Sequence, residues 1–129
     1  MFVKMLALVM ALFLAMESSG APREQTNADM SDPDVQYALE FAVTEHNKDS
    51  SGKWISHVTK VISAKEEVVA GTEYTFTVEM ARTSCKKGSE QNDCQTNPDP
   101  NIAQAQECEL IVWSQPWLGE AEVIKDTCP

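Results

Sequence analysis

Positive charge is scarce in this sequence. Its 129 residues contain 10 lysine and arginine residues against 20 aspartate and glutamate residues, so the formal net charge is −10. An acidic surface repels phosphate backbones, which argues against nucleic-acid binding. The sequence also contains no polybasic or basic amphipathic segment of the kind that binds membrane surfaces. We therefore expect neither nucleic acids nor membranes as partners.

The motifs of common enzymes are missing as well. The sequence contains two histidines, His46 and His57, on different predicted elements. It has no glycine-rich phosphate loop and no H-E-x-x-H motif. The adjacent carboxylates Glu66 and Glu67 fall at a predicted turn, where neighbouring side chains diverge. No nucleophile, base and pocket can be assembled from these residues, so we predict a protein that is not an enzyme and binds no cofactor.

A long apolar run occurs near the start of the chain. Met5–Met16 is almost entirely apolar, follows Lys4 and precedes a stretch of small residues. This layout is typical of a secretory signal peptide, and an apolar run of about twelve residues is too short to cross a bilayer. We predict cleavage after Gly20, which makes residues 1–20 the signal peptide and residues 21–129 one secreted, extracellular domain. An uncleaved membrane anchor is the alternative.

Cysteine is absent from the first half of the chain and occurs four times in the second. An even number of cysteines behind a signal peptide predicts two disulfides, for which three pairings exist. Pairing of chain neighbours, Cys85–Cys94 and Cys108–Cys128, fits the strand order described below. A zinc site is the alternative, and it is disfavoured because no C-x-x-C occurs and no histidine lies nearby in sequence.

One amphipathic helix is predicted after a polar N-terminal arm, Ala21–Ser31. Ser31 or Asp32 can cap the helix, and Pro33 falls in the first turn, where proline is tolerated. Turn-forming residues from Asn47 to Gly52 end it. Apolar residues recur at helical spacing at Val35, Ala38, Leu39, Ala42 and Val43.

The remainder of the chain is predicted to form strands. The predicted strands are Lys53–Glu66, Thr72–Ser84, Gln106–Ser114 and Glu120–Thr127. The segment Lys86–Gln104 is rich in asparagine and proline and is predicted to be irregular. Four strands in hairpin order with a single helix indicate an α+β domain in which an antiparallel sheet packs on the helix.

Two of the predicted turns carry apolar residues where polar residues are usual. They are Glu67–Gly71 and Pro116–Gly119. Each has an ordinary interpretation: Gly71 supplies a positive φ for a hairpin turn, and Trp117 folds back onto the core. In a four-strand meander, however, alternate hairpins point to the same end of the sheet. The two turns should therefore lie side by side and form a narrow apolar ridge that fits a cleft.

Several segments, in this order and at this spacing, resemble the secreted, disulfide-containing (type 2) cystatins, which inhibit papain-like cysteine peptidases. The resemblance covers essentially the whole chain after the signal peptide. It rests on the four-cysteine spacing and on Ala38–Val43, Glu45–Lys48, Glu67–Gly71, Arg82–Cys85 and Val112–Trp117.

The resemblance implies the cystatin fold, one long helix packed on a five-stranded antiparallel sheet, with the arm supplying the fifth strand. It also implies a reversible, tight-binding inhibitor of cathepsin-type peptidases that occludes the active-site cleft without a covalent bond. The family's disulfides map to the same neighbour pairs of cysteines. The peptidase-binding residues that it implies are Glu67, Val68, Val69, Ala70, Gly71, Pro116 and Trp117, with Arg23 and Glu24 in the arm.

Two alternatives accompany this interpretation. A cystatin-fold protein without useful inhibition, acting as a secreted binding or host-defence protein, is the alternative function. A monomer is the expected state, and strain at Val68–Val69 makes a domain-swapped dimer the alternative.

The sequence departs from the family pattern at three places, and each departure predicts an effect on inhibition. Glu67 replaces a glutamine, and a carboxylate is costlier than an amide in a partly desolvated interface. Arg23 and Glu24 stand where the family has glycine, so we expect the arm to contribute little affinity. Ser51 stands where legumain-inhibiting members have asparagine, so we expect no legumain inhibition.

Overall fold

The structure, a computed structural model, describes residues 24–89 and 93–129. The predicted signal peptide and Arg23 lie outside the described residues. The elements in chain order are β1 (Thr26–Asn27), α1 (Pro33–Asp49), β2 (Trp54–Val69), β3 (Gly71–Lys86), α2 (Pro100–Ala103), β4 (Gln106–Gln115), a 3₁₀ turn (Pro116–Leu118) and β5 (Glu120–Thr127). Within these ranges, no helix has the length and apolar character needed to cross a membrane.

The five strands form one antiparallel sheet in the order β1-β2-β3-β4-β5. Each strand therefore lies beside its neighbours in sequence, and the arm supplies the first edge strand. The predicted α+β architecture, one long helix on a five-stranded antiparallel sheet, is confirmed.

Helix α1 begins where the capping pattern predicts. The side chain of Asp32 accepts a hydrogen bond from the Asp34 backbone N–H at 2.9 Å, and Pro33 occupies the first turn. The helix ends at Asp49, and the Ser50 N–H donates to the His46 carbonyl at 2.9 Å. Its buried stripe consists of Val35, Ala38, Leu39 and Ala42.

The core lies between this stripe and the inner face of β3 and β4. Strict alternation along both strands sends every second side chain to the helix. The buried strand residues are Tyr74, Phe76, Val78 and Met80 on β3, and Cys108, Leu110 and Val112 on β4. Val43, predicted as part of the helical stripe, is only partly buried at the edge of this core.

Strands β2 and β3 are longer than predicted, at 16 residues each. The sequence pattern placed a turn over Glu67–Gly71, but Glu67 pairs with Glu73 and Val69 pairs with Gly71. Backbone pairing thus continues to the turn itself and leaves Ala70 alone between the strands. β-branched residues suit a strand, and the apolar composition of this segment reflects strand continuation.

The segment predicted as irregular contains a short helix, α2. Asp99 caps it by accepting from the Asn101 N–H at 2.9 Å, and Pro100 occupies its first position. The prediction counted the prolines of this segment as turn formers, although Pro100 directly after Asp99 is also a helix-start signal.

Side-chain contacts hold the end of α1 against the sheet. Asn47 accepts from the Ser56 N–H at 2.8 Å and donates to the Ser56 carbonyl at 3.0 Å. His46 Nδ1 lies 2.8 Å from an Asp126 carboxylate oxygen on β5. This anchoring is at the end of the sheet opposite the two apolar turns.

The disulfides are Cys85–Cys94 and Cys108–Cys128. The first joins the end of β3 to the long connection, and the second joins β4 to the C-terminal segment after β5. All four cysteines are thus disulfide-bonded and are not available as zinc ligands.

Candidate functional site

The two apolar turns lie side by side at one end of the sheet. We call Val68–Gly71 the first tip and Pro116–Gly119 the second tip. Thr72 on β3 pairs with Ser114 on β4, which brings the two hairpins together directly below their turns. The sequence-predicted residues of both turns are therefore brought to one edge.

The first tip is tight and depends on glycine. Gly71 has φ +104°, a backbone conformation that residues with a Cβ rarely adopt. A Cβ at this position would lie 2.4 Å from the Ser114 carbonyl oxygen, so the backbones of the two hairpins are in direct contact. Val68 is 81% exposed, whereas Val69 is half-buried.

Trp113 on β4 joins the first tip to the second hairpin, a role that the sequence pattern did not predict. Its Nε1–H donates to the Ala70 carbonyl at 2.8 Å. The sequence did hold a signal for this role. Trp113 is a large aromatic residue on the solvent-facing side of β4, two positions before the strand ends, and a polar residue is usual at such a position.

The second tip presents side chains. Pro116–Leu118 forms a 3₁₀ turn that closes with the Gly119 N–H donating to the Pro116 carbonyl at 3.0 Å. Trp117 is 65% exposed and Leu118 is 57% exposed. The interpretation in which Trp117 folds back onto the core is therefore wrong, because the 3₁₀ turn directs its ring into solvent.

The arm runs beside the first hairpin on the side away from the second. Thr26 pairs with Glu66 and Asn27 pairs with Lys65, and the Ala28 N–H donates to the Ala64 carbonyl at 2.9 Å. The N-terminal end of the arm therefore points along β2 toward the first tip. Glu24, the other predicted arm residue within the described ranges, is exposed.

Carboxylates surround this edge. Glu67 lies directly opposite Glu73 across β2 and β3, and Glu73 pairs in turn with Trp113, which pairs with Glu122. Like charges directly opposite each other in a sheet are destabilising. This row gives the base of the two tips a strongly negative face.

Tyr74 lies under the first tip and is buried. Burial is the largest cause that raises the pKa of its phenol above the usual value, and the nearby Glu66 carboxylate adds to it. The Asp34 and Asp32 carboxylates at the start of α1 act in the same direction. The neutral phenol is thus part of the folded state.

Neither histidine lies at this edge. His46 contacts Asp126, and His57 Nε2 lies 2.8 Å from Thr96 Oγ1 on the long connection. His46, Asp126 and Cys128 are close enough to suggest metal ligands, but the Cys128 sulfur is already committed to a disulfide. Among the described residues, the two tips present apolar side chains and backbone groups, and the carboxylates lie at their base.

Comparisons with known proteins agree with this geometry. The family model for the cystatin domain matches residues 24–117. A cystatin from Oncorhynchus keta is 35% identical over 125 residues, covering 97% of this chain and 96% of the relative. A cystatin-C from Paralichthys olivaceus is 36% identical over 110 residues, covering 84% and 83% of the two chains.

A solved structure shares the fold. The crystal structure of dimeric human cystatin F matches with a TM-score of 0.74 and 26% identity, covering 86% of this chain and 90% of that one. Cystatins are inhibitors of cysteine peptidases and not enzymes. The extent of these matches, with the helix, the sheet and the two disulfides, shows that this chain belongs to the cystatin family and is of type 2.

Proposed function

We propose that this protein is a secreted, reversible, tight-binding inhibitor of papain-like, cathepsin-type cysteine peptidases. In this proposal the first tip, the second tip and the N-terminal arm enter the active-site cleft together. The peptidase-binding residues are those of the first tip with Glu67, and Pro116 and Trp117 of the second.

The main support for this proposal is the direct contact between the first tip and the end of β4, which leads into the second tip. The close approach of Gly71 to the Ser114 carbonyl keeps the two hairpins together and the edge narrow. Val68 and Trp117 project from it with most of their surface exposed. Apolar side chains held in water on a narrow edge favour burial in a partner's cleft over a flat interface.

The shape of the first tip favours occlusion over cleavage. A peptidase cleaves an extended segment whose scissile carbonyl is presented to the nucleophile. Here Val69 and Gly71 remain paired across the turn, and the Ala70 carbonyl is already occupied by Trp113. The backbone that would meet a catalytic cysteine is therefore folded back on itself, which fits a non-covalent, reversible complex.

Titration of active papain and a cathepsin with refolded residues 21–129 tests the proposal. We expect stoichiometric, reversible loss of activity by a monomer isolated by size-exclusion chromatography. Legumain, titrated in parallel, should not be inhibited. A folded, disulfide-bonded monomer that leaves papain fully active would instead favour the alternative, a cystatin-fold binding or host-defence protein.

The arm should contribute little to this inhibition. It pairs with β2 over two residues. The family resemblance implies that Arg23 and Glu24 stand where other members have the glycines that let the arm bend. Deleting Ala21–Gln25 should change the affinity for papain by less than about tenfold, or about 1.4 kcal/mol. Glycine at positions 23 and 24 should tighten binding to endopeptidases more than to exopeptidases. A larger loss on deletion would mean that another arm residue makes the contact.

A further inference from the structure

The hydrogen bond between Trp113 and the first tip fixes the position of a segment that the proposed inhibition depends on. The β3–β4 ladder begins at Thr72 and Ser114, so Val69–Gly71 extends beyond its last pair. Within residues 24–89 and 93–129, the ladder between the arm and β2 ends at the pair of Thr26 with Glu66, short of the tip. Among the side-chain hydrogen bonds of the described residues, the one from Trp113 to the Ala70 carbonyl joins the turn to the second hairpin.

The geometry of this bond suits a fixed link. Trp113 is a rigid side chain with two rotatable bonds, and its backbone is paired on both sides, with Glu73 on β3 and Glu122 on β5. Its donor nitrogen would lie 3.1 Å from a Cβ placed on Gly71, so the indole edge packs against the turn. Without the bond, a two-stranded hairpin end with no flanking strand frays easily.

We propose that Trp113 is a positioning residue for inhibition: its indole N–H holds the Ala70 carbonyl and sets the first tip against the second before a peptidase arrives. This rests on the proposed inhibitory function. In this role Trp113 acts through Ala70 and Gly71 and does not itself contact the peptidase. When a binding-competent shape is only partly populated, the apparent affinity falls by that fraction.

The test uses Trp113→Phe, which keeps an aromatic ring and removes the donor. The matched control is Trp54→Phe, because Trp54 lies at the other end of β2, where Lys53 and Lys86 cover its ring. Amide hydrogen exchange of the free proteins reports the tip. We expect the exchange rate at Val68–Thr72 to rise about fivefold in Trp113→Phe, which is the change in opening equilibrium expected when one hydrogen bond is lost. The exchange rate at Phe76–Val78 should not change. Trp54→Phe should leave the tip unchanged.

Binding kinetics with papain separate positioning from direct contact. A positioning role predicts that the association rate of Trp113→Phe falls by the same factor as the closed fraction obtained from the exchange data, with a smaller change in the dissociation rate. A rise confined to the dissociation rate, with unchanged exchange at the tip, overturns the proposal and indicates direct contact. An association rate that does not fall in step with the closed fraction overturns it as well.

A measurement on the unaltered protein covers the case in which Trp113→Phe does not fold. The indole N–H of Trp113 should exchange with water much more slowly than that of the exposed Trp117 in NMR spectra. Equal rates for the two indoles would overturn the proposal. Amide exchange at the tip and exchange of the indole N–H are both measured on the free protein. They therefore test the positioning role of Trp113 separately from whether papain is inhibited.

Discussion

The two tips at the same edge are built in opposite ways. The first is defined by backbone: two 16-residue strands pair up to Val69 and Gly71, and Gly71 is pressed against Ser114. The second is defined by side chains: a 3₁₀ turn exposes Trp117 and Leu118, and Gly119 has open space around it. Changes to the first tip should therefore act through shape, and changes to the second through lost contact.

A pair of glycine substitutions should show this contrast most strongly. Gly71→Ala places a Cβ on a backbone at φ +104° and 2.4 Å from a carbonyl oxygen, so the hairpins must move apart. We expect inhibition of papain to weaken by about 3 kcal/mol, more than about a hundredfold. The matched control, Gly119→Ala, also has a positive φ, of +64°, but no neighbour within 4 Å. Equal losses from both would contradict the backbone account of the first tip.

Trp117→Ala should have the next largest effect. Large, rigid aromatics dominate interface energies, and we expect a loss of about 2 kcal/mol, near thirtyfold, mostly through faster dissociation. The thermal midpoint should stay close to that of the unaltered protein, because the ring is 65% exposed in the free protein. Leu118→Ala, in the same turn, is the control. Unfolding of the Trp117 variant would show that this ring supports the fold after all.

Carboxylates at the base of the first tip give a smaller and separable effect. Glu67 and Glu73 face each other across β2 and β3, so removing either charge should raise the unfolding free energy by about 0.5 kcal/mol. Glu67→Gln should in addition tighten inhibition about threefold, since an amide is desolvated at less cost than a carboxylate. Glu73→Gln, equal in charge, is the control for stability alone. Equal gains in affinity from both variants would assign the effect to general electrostatics.

The smallest effect concerns alkaline pH and the first hairpin. The pKa of Tyr74 is raised in the folded protein, chiefly by burial, so its neutral form contributes stability that is fully present below the unfolded pKa of about 10. That contribution to stability is lost as the pH rises through the higher pKa that Tyr74 has in the folded protein. Unfolding free energies measured from pH 8 to 11 should fall more steeply for the unaltered protein than for Tyr74→Phe. Parallel curves would contradict this assignment.

Much of the fold could be predicted because local patterns and long-range packing agree. Helix α1 has its cap, its first-turn proline and an apolar stripe at the right spacing, and β3 and β4 alternate strictly. The reach of β2 and β3 was underestimated because glutamate and glycine near a turn look like loop residues. Only pairing with the facing strand turns Glu67 and Val68 into strand residues.

The sequence by itself determined the one-helix, antiparallel α+β class and the presence of two apolar turns, and it favoured the chain-neighbour disulfides among three pairings. These follow from periodicity, from cysteine spacing and from turn composition, all of which are local. The tertiary structure alone decided that Trp117 is exposed, that Gly71 contacts Ser114 and that Trp113 binds Ala70. Those features depend on register between strands far apart in the chain, where a shift of one residue sends each side chain to the other face of the sheet.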